Sequence, residues 1–381
     1  MLREFSVPLL CGVVAALAWA NLDPAGYYLR VETPLIGGIS LHFIANDLFM
    51  ALFFGIAAVE ITESCLPGGT LHPLAKAVNP LLATFGGVLG PVSVYLLLNA
   101  IFGSPEFSRG WGIPTATDIA LAWLAARIIF GASHPAVAYL LLLAVADDAI
   151  GLGIIAVFYP DPIKPVVPIW LCLTALGMGV AYLLRRKSVM SYWPYLAIGG
   201  SLSWAGLFMS HLHPALALVF IVPFLPHAPR VTKGLFEDSP DDRSPLSAFE
   251  HEWKVVVDCG LFLFGLTNAG VEFSRVGSVT WLVLVALMAG KCIGIFSMGY
   301  VGGLCGFHLP KGMRHRDLLA VGIIAGIGFT VALFVAGEAF TDPAVRGAAK
   351  MGAIASALSA LVAVVAARWV GVEKRSSAQK H

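Results

Sequence analysis

Two adjacent aspartates, Asp147 and Asp148, interrupt an apolar run that extends from Ala136 to Phe158. The run is about 23 residues long, and a helix needs about 20 residues to cross the hydrocarbon core of a membrane. Insertion scales put the cost of one carboxylate there at about 2.5 to 3.5 kcal/mol, so intramembrane carboxylates usually serve proton or ion pathways. The pair therefore predicts a route for protons or for a cation.

Four ionisable side chains fall well inside the predicted membrane spans: Asp118, Asp147, Asp148 and Lys291. A purely structural interpretation is that they form buried ion pairs that fix the register of the helices. However, three acids against one base leave an excess of negative charge, and pairing alone cannot satisfy all of them. We therefore expect protons or a cation to make up the difference.

The two adjacent carboxylates lie about 100° apart around a helix axis, so they cannot face one partner equally. One can pair with Lys291 while the other faces a water-filled cavity, and a coupled pair titrates as a unit. Sodium, a hard cation, prefers the same carboxylate oxygens. Competition between proton and cation for one site is the minimal machinery of antiport. Thr117 could add a hydroxyl oxygen, or it could bond back to its own helix backbone.

The composition places the whole chain in a membrane. Of its 381 residues, 58% are hydrophobic and 12% are charged, and the mean hydropathy is +0.83. A soluble domain carries about 25% charged residues. Nothing in the charge distribution supports nucleic-acid binding. The six cysteines lie mostly in apolar segments without paired spacing, which is typical of small core residues rather than of a disulfide or zinc framework.

Apolar windows of about 19 residues predict about twelve spans. They centre near residues 13, 53, 90, 122, 148, 175, 203, 219, 263, 290, 327 and 360. The first span resembles a cleavable signal peptide, but we interpret it as a span that stays. Most Lys and Arg residues outside the spans fall on the side that holds both termini. Because such residues favour the cytoplasmic side, we expect both termini in the cytoplasm.

Two spans are interrupted in comparable places of the two halves of the chain. The fourth span begins with Gly112 to Asp118 and has Pro114 inside it, whereas the eleventh contains Gly322 to Thr330 with Gly326 and Gly328. Paired interrupted segments point to the binding site of a transporter.

The half-helix ends of such segments need compensating charges, which Asp118 and Lys291 could supply. The sequence thus predicts an all-α integral membrane protein of about twelve transmembrane helices. We expect inverted repeats with two interrupted, crossing helices.

Taken together, the motifs resemble those of the bacterial NhaA sodium/proton antiporters. The resemblance covers about residue 30 to about residue 340, and the motifs follow the order of the family. They are Asn46 to Phe54, Gly110 to Ala120, the Asp147-Asp148 pair, Glu250-His251, Gly290-Lys291 and Gly322 to Thr330. The resemblance implies a secondary active transporter without a cofactor, rather than an enzyme. It also implies a place in the bacterial inner membrane and a role in pH and sodium homeostasis.

The resemblance implies a role for each residue of the site. Asp148 would be the principal carboxylate for the transported Na⁺ or Li⁺. Asp147 would be a proton carrier that alternates between protonation and an ion pair with Lys291. Asp118, with Thr117, would compensate the crossed half-helix ends beside the cation. Exchange of a cytoplasmic cation for a larger number of external protons would be electrogenic.

The resemblance also implies one antiporter domain over residues 1–381. A core bundle including about 80–160 and 279–370 would move against an interface domain formed by the remaining helices. The expected partners are Na⁺ or Li⁺, protons and the lipid bilayer. The segment from Pro34 to Asn46 is shorter than the family's hairpin, which contributes to dimer contacts, so a homodimer stays an open expectation.

The chain departs from the family near the cytoplasmic entrance, where the family senses pH. Glu60 fits the family's acidic-basic cluster, but Thr62 and Glu63 stand where basic residues are expected, and Ser64 replaces the following acid. The pH at which transport switches on is therefore not predicted.

Three further residues are candidates for a pH response alongside Glu60. Glu250 and His251 are retained in the long loop, although the next histidine that the family would have there is missing. His213 matches a histidine of the family's eighth span. As a residue at a helix end, it could equally be an interfacial hydrogen-bonding group.

Three alternatives stay open. The same fold could prefer K⁺, or it could serve a regulatory homologue that no longer transports. Intramembrane aspartyl proteases also need paired membrane aspartates, but they place them on separate helices in Tyr-Asp and Gly-x-Gly-Asp contexts. Here Asp147 follows Ala146, and Gly151-Leu-Gly153 comes after the acids.

Overall fold

A computed structural model describes residues 2–36, 39–67, 69, 74–160, 164–227 and 244–369, and these residues are mostly helical. The α-helices are α1 Leu2–Leu22, α2 Pro24–Glu32, α3 Leu41–Phe43, α4 Met50–Cys65, α5 Leu74–Phe102, α6 Ile119–Phe130, α7 Pro135–Phe158, α8 Leu171–Arg186, α9 Ser201–Met209, α10 Pro245–Asn268, α11 Ser278–Val285, α12 Lys291–Leu304, α13 His315–Ala325, α14 Phe329–Ala339, α15 Pro343–Ala355 and α16 Ser359–Trp369.

Shorter helical segments and one small hairpin complete the described elements. The 3₁₀ segments are Pro105–Thr115, Pro168–Trp170, Pro214–Phe220, Val222–Phe224, Phe273–Arg275 and Ser356–Leu358, and the π segments are Ile44–Phe49, Tyr195–Gly200 and Ala286–Gly290. Strands β1 Pro34–Ile36 and β2 Ile39–Ser40 pair antiparallel.

Several helices begin where the sequence offers a side chain that accepts hydrogen bonds from the first free N–H groups. Asp118 caps α6, Ser244 caps α10 and Asp342 caps α15. In the last two cases a proline follows at the first helical position, where its missing N–H costs nothing. The helix that carries Asp147 needs no amphipathic face, because it is apolar on all sides and largely buried in protein.

Among the described residues, six helical stretches are long and apolar enough to cross a membrane. They are Leu41–Cys65, Ala77–Phe102, Pro135–Phe158, Pro168–Arg186, Ser278–Leu304 and Pro343–Trp369. Two bent pairs raise this number to as many as eight, and Val7–Leu22, Tyr195–Met209 and Pro214–Phe224 are shorter apolar helices. All but one of the predicted span centres fall in a helical segment, and the one near residue 327 falls in the break between α13 and α14. The chain is thus an all-α protein that crosses the membrane several times, and the exact number of crossings stays a prediction.

The chain divides into two compact units. The first unit combines Arg3–His72 with Leu152–Gly270, and the second combines Pro73–Gly151 with Val271–His381. Both units are therefore built from two separate stretches of the sequence.

The first unit has a polar contact inside its apolar packing. The Asn268 side-chain amide, at the end of α10, donates to Asn46 Oδ1 at 2.7 Å, and Asn46 lies in the π segment before α4. Nearby, α4 packs closely on the 3₁₀ segment Pro214–Phe220, since a Cβ at Gly55 would lie 2.9 Å from Leu218 Cδ1.

The second unit is built around a very close crossing of α5 and α12. Gly86 and Gly90 on α5 face Gly290 and Gly294 at the start of α12, and both pairs are four residues apart. A Cβ at Gly294 would lie 2.0 Å from the Gly86 carbonyl oxygen. Small residues at this spacing let two membrane helices bring their backbones together. Because Lys291 lies between Gly290 and Gly294, the crossing fixes where its side chain begins.

We predict that Gly294→Ala destabilises the protein by about 1 to 3 kcal/mol, because the added methyl group meets backbone atoms that cannot move aside. The matched control is Gly303→Ala on the same helix, where an added Cβ meets nothing within 4 Å. Thermal unfolding in detergent should show a lower midpoint for the first variant alone. Equal midpoints for the two variants would contradict the proposed packing.

Candidate cation and proton site

The site is built around an ion pair that is buried inside the second unit. Lys291 on α12 donates a hydrogen bond from Nζ to Asp147 Oδ2 on α7. Both side chains are 0% exposed. Removing either charge alone would leave the other buried without its partner, which costs about 3 to 5 kcal/mol.

The remaining hydrogens of the Lys291 ammonium bind the chain just before α6. Nζ donates to the Thr115 carbonyl oxygen at 2.7 Å and to Thr117 Oγ1 at 2.9 Å. An ammonium has three N–H groups, and these two contacts together with Asp147 use all of them. Thr115 ends the 3₁₀ segment Pro105–Thr115, so the ammonium also lies at a helix end whose partial charge is negative.

Asp118 caps the beginnings of two half-helices at once. Its Oδ1 accepts from the Leu121 N–H of α6 at 3.0 Å, and its Oδ2 accepts from the Thr330 N–H of α14 at 3.3 Å. The Thr330 hydroxyl donates to the same Oδ2. Asp118 is only 5% exposed. One carboxylate therefore lies at two helix N-termini, where a negative charge is favourable.

The two interrupted segments cross at these residues. The segments on either side of the first break, Pro105–Thr115 and α6, are bent by 56°, and α13 and α14 are bent by 45°. The Asp118 N–H donates to the Ile327 carbonyl oxygen at 2.6 Å, and the Thr117 hydroxyl lies 2.9 Å from the Ala325 carbonyl oxygen. Each break thus satisfies backbone groups that the other leaves without a helical partner.

The predicted breaking residues lie in or directly beside these breaks. Pro114 has φ −84° and ψ 15°, which departs from helical geometry. A Cβ at Gly326 would lie 2.9 Å from the Leu287 carbonyl oxygen, and one at Gly328 would lie 2.6 Å from Leu287 Cδ2. The glycines therefore allow the second break to approach the segment before α12.

Asp148 follows Asp147 on α7 and lies near the Lys291 ammonium as well. It is 7% exposed and interacts electrostatically with the Lys291 ammonium. Within the described part of the chain, the buried Oδ1 of Asp147 accepts no hydrogen bond. This oxygen lies 3.7 Å from the position that a Cβ would take at Gly87 on α5. Gly87 therefore brings α5 close to this carboxylate oxygen.

All five predicted transport residues, Asp118, Thr117, Asp147, Asp148 and Lys291, belong to the second unit. Hydrogen bonds link Thr117, Asp147 and Lys291 directly, and Asp118 joins them through the neighbouring backbone. Their carboxylate, hydroxyl and carbonyl oxygens are ligands that suit a hard cation, and their carboxylates can also hold protons.

The candidates for a pH response belong to the first unit. Glu60 lies on α4, and the carboxylates of Glu250 and Glu63 repel it. Glu250 and the exposed His251 lie on α10, so their predicted position in the long loop was wrong. His213 directly precedes the 3₁₀ segment Pro214–Phe220. The structure therefore brings Glu60 and Glu250 into electrostatic contact.

Two residues were missed by the sequence analysis. Thr330 was noted only as part of a motif, and its hydrogen bonds to Asp118 depend on a crossing that local sequence does not show. Lys350 was not among the ionisable residues that the sequence placed inside the spans, but it lies in α15 and is 8% exposed. The buried ionisable side chains of this unit thus include Lys350 and also Asp317, which is 3% exposed, so carboxylates still outnumber lysines among them.

We predict that Lys291→Met destabilises the protein by about 3 to 5 kcal/mol, because it leaves the Asp147 carboxylate buried without a countercharge. The double variant Asp147→Asn/Lys291→Met should recover much of that loss, because neither charge remains. Denaturant unfolding in detergent measures both effects. Lys187→Met, at an exposed lysine, is the control and should change little. Additive effects of the two single changes would contradict the ion pair.

Comparison with known proteins gives the chain a family. The Na⁺/H⁺ antiporter NhaA 2 of Pelobacter propionicus is 66% identical over 98% of this chain and 98% of its own length. The Na⁺/H⁺ antiporter NhaA of Geobacter sulfurreducens is likewise 66% identical over 98% of both chains. Among solved structures, the sodium proton antiporter MjNhaP1 from Methanocaldococcus jannaschii at pH 8 matches 96% of both chains with 13% identity and a TM-score of 0.48. A family model described as Na⁺/H⁺ antiporter 1 matches residues 3–367, so the resemblance carried by the motifs is confirmed and the chain belongs to this family of Na⁺/H⁺ antiporters.

Proposed function

We propose that this sodium/proton antiporter exchanges cytoplasmic Na⁺ or Li⁺ for a larger number of external protons, as a secondary active transporter. The observation that carries the proposal is the buried Lys291–Asp147 ion pair with Asp148 beside it. The ammonium balances one carboxylate charge, and the second carboxylate needs a proton or a cation.

Proton and cation would compete because they need the same oxygen atoms. Asp148 would supply the principal carboxylate for Na⁺, and Asp147 would alternate between a protonated form and the ion pair with Lys291. A proton on Asp147 removes a negative charge from the site and thereby weakens cation binding at Asp148. Loss of the proton restores that charge, so the two ions occupy the site in turn.

Asp118 would act mainly through its charge. Its two oxygens already accept hydrogen bonds from both half-helices, so it stabilises the crossing that forms the site. Thr117 would lie next to the cation, and its hydroxyl oxygen contacts both Asp147 and Lys291.

We also propose the membrane in which the protein lies and the role of each unit. The bacterial relatives support the inner membrane of a bacterium as the location, with both termini in the cytoplasm. The second unit would be the core bundle and the first the interface domain.

The cytoplasmic position of the C-terminus can be tested with a cysteine placed after His381. An impermeant thiol reagent should react with it in everted vesicles but not in intact cells.

The first unit would carry the response to pH. Glu60 is partly buried and is repelled by the carboxylates of Glu250 and Glu63, and its protonation would relieve that repulsion. His251 and His213 would be further residues that take part in the response to pH. The pH profile of exchange measures whether the altered residues after Glu60 still support a response.

We predict that Asp147→Asn and Asp148→Asn each abolish sodium-dependent exchange while the protein still folds and inserts. An amide cannot carry the charge that a proton or Na⁺ must neutralise. The measurement is the dissipation of a preset pH gradient in everted membrane vesicles on addition of Na⁺, Li⁺ or K⁺, at mildly acidic and alkaline pH.

Asp342→Asn is the matched control, since Asp342 only caps α15 and asparagine caps a helix equally well. Full exchange by Asp148→Asn would refute the assignment of the site. Dissipation by K⁺ in preference to Na⁺ would change the proposed cargo. An imposed membrane potential should alter the rate of exchange. A rate that does not change with the membrane potential would refute electrogenic transport.

A further inference from the structure

The side-chain amide of Asn79 joins three helices of the second unit inside the protein. Asn79 lies on α5, and its Nδ2 donates to the Gly299 carbonyl oxygen of α12 at 3.0 Å. The same nitrogen donates to the Phe307 carbonyl oxygen, just beyond α12, at 2.6 Å. The Asn79 Oδ1 accepts from the Tyr139 hydroxyl group of α7 at 2.8 Å. These contacts use both N–H groups of the amide and its oxygen.

The amide and the tyrosine hydroxyl group are buried against the backbone of α12. Asn79 and Tyr139 are each 2% exposed. A Cβ at Gly299 would lie 3.3 Å from the Tyr139 hydroxyl oxygen, and one at Gly302 would lie 2.9 Å from Asn79 Nδ2. The two glycines thus let both side chains approach the helix. Loss of one buried partner leaves the others without a hydrogen bond that water could replace, so the contacts hold one another in place.

The end of α12 is held in the same place. Gly306 has φ +93°, and the Phe307 N–H donates to the Gly302 carbonyl oxygen at 2.9 Å, which closes the helix. Asn79 binds the carbonyl group of this closing residue and that of Gly299 inside the helix. A shift of α12 along its axis would break both bonds. The amide therefore fixes the axial position of α12 against α5.

The same three helices meet again at the ion pair, eight residues away on each. On α7, Asp147 follows Tyr139 by eight residues, and on α12, Lys291 precedes Gly299 by eight residues. On α5 the same spacing leads from the amide to Gly87, which approaches the Asp147 carboxylate. Eight residues of helix span about 12 Å. Equal spacings on all three helices mean that the amide and the ion pair are two levels of one packing arrangement.

Hydrogen bonds give this arrangement a direction that packing alone does not. The close contact of Gly86 with Gly294 joins α5 to α12 through van der Waals packing, which depends little on angle. A hydrogen bond needs a short distance and a nearly straight N–H or O–H group, so it specifies register. Asn79 makes such bonds to α7 and to α12, the two helices that carry the ion pair.

We propose that Asn79 is a positioning residue for transport, which holds α7 and α12 in the register that brings Asp147 to Lys291. The effect on exchange rests on the proposed function, whereas the effect on the ion pair rests on the geometry of the helices. Without the amide, α12 can move against α7. Lys291 and the carboxylates beside it then leave the arrangement that receives the cation.

The first test is a double-mutant cycle, measured by denaturant unfolding in detergent without Na⁺. Asn79→Leu keeps the branched shape of the side chain and removes all three hydrogen bonds. It is made in the wild type and in the Asp147→Asn/Lys291→Met background, which has no ion pair to position. We expect the loss in the folding equilibrium constant to be larger in the wild type by about threefold or more. Equal losses in the two backgrounds would overturn the proposal.

The second test is the Na⁺ concentration that gives half-maximal exchange in everted vesicles. Asn79→Leu should raise it several-fold, because a displaced site binds the cation less well. The matched control is Ser203→Ala in the first unit, which loses a buried hydrogen bond to the Ala217 carbonyl oxygen. Lower stability alone reduces the amount of folded protein, so this control should lower at most the maximal rate. An unchanged half-maximal concentration in Asn79→Leu would also overturn the proposal.

Tyr139→Phe decides the question if Asn79→Leu does not fold. It keeps the aromatic ring and removes only the hydroxyl group that binds the amide. We expect smaller changes in the same direction in both measurements. A variant that loses equal stability in the two backgrounds and keeps the wild-type half-maximal Na⁺ concentration would contradict the positioning role.

The outcome is separable from that of the proposed function. If Asp147→Asn and Asp148→Asn transport normally, the transport site fails, and the unfolding cycle still decides whether Asn79 positions the ion pair. If those variants lose exchange while the cycle is additive, the transport site stands and the role of Asn79 fails.

Discussion

A charged lysine and a charged aspartate, both fully buried in a membrane protein, must each find a partner inside the protein, and the second unit is arranged to provide it. Lys291 is fixed by a glycine-lined crossing of α5 and α12 that no larger side chain would allow. Its three hydrogens reach Asp147, Thr117 and the end of the 3₁₀ segment before α6. The ion pair thus ties α7 and α12 to the first interrupted segment, so a change in its charge acts on all three.

The two interrupted segments depend on each other for the same physical reason. In a bilayer, a broken helix leaves polar backbone groups that lipid cannot satisfy. Asp118 accepts hydrogen bonds at the N-termini of both α6 and α14. Thr117 and Lys291 donate hydrogen bonds to the carbonyl groups at the ends of α13 and of the 3₁₀ segment before α6. Neither break would be stable alone. Their crossing also concentrates carboxylate, hydroxyl and carbonyl oxygens in one buried place, which is what a small hard cation requires.

The parts of this arrangement that could be predicted from the sequence are those whose residues are energetically unfavourable in an apolar helix. Asp118, Asp147, Asp148 and Lys291 were found because an ionisable group in an apolar span is expensive and needs a reason. Pro114, Gly326 and Gly328 marked the breaks because they are poor helix formers. The membrane class and the helical fold followed from composition.

Other features carried no such local signal. Thr330 looks like any threonine in an apolar helix, and only the tertiary crossing brings it to Asp118. Lys350 was missed because hydropathy windows set boundaries poorly where a polar residue interrupts a span, and α15 begins well before it. The hydrogen bonds of Thr117 join it to Asp147, Lys291 and Ala325 in distant parts of the sequence, so spacing along the chain could not reveal them.

The central claim is that sodium and protons compete for the carboxylates beside Lys291. Its most direct test is a titration of the purified, detergent-solubilised protein with Na⁺ in weakly buffered solution, in which released protons are recorded at several starting pH values. The account predicts proton release on each addition and an apparent Na⁺ affinity that weakens as pH falls, by up to about tenfold per pH unit for each proton that must leave on binding. Sodium binding without proton release, at an affinity that does not change with pH, would contradict it.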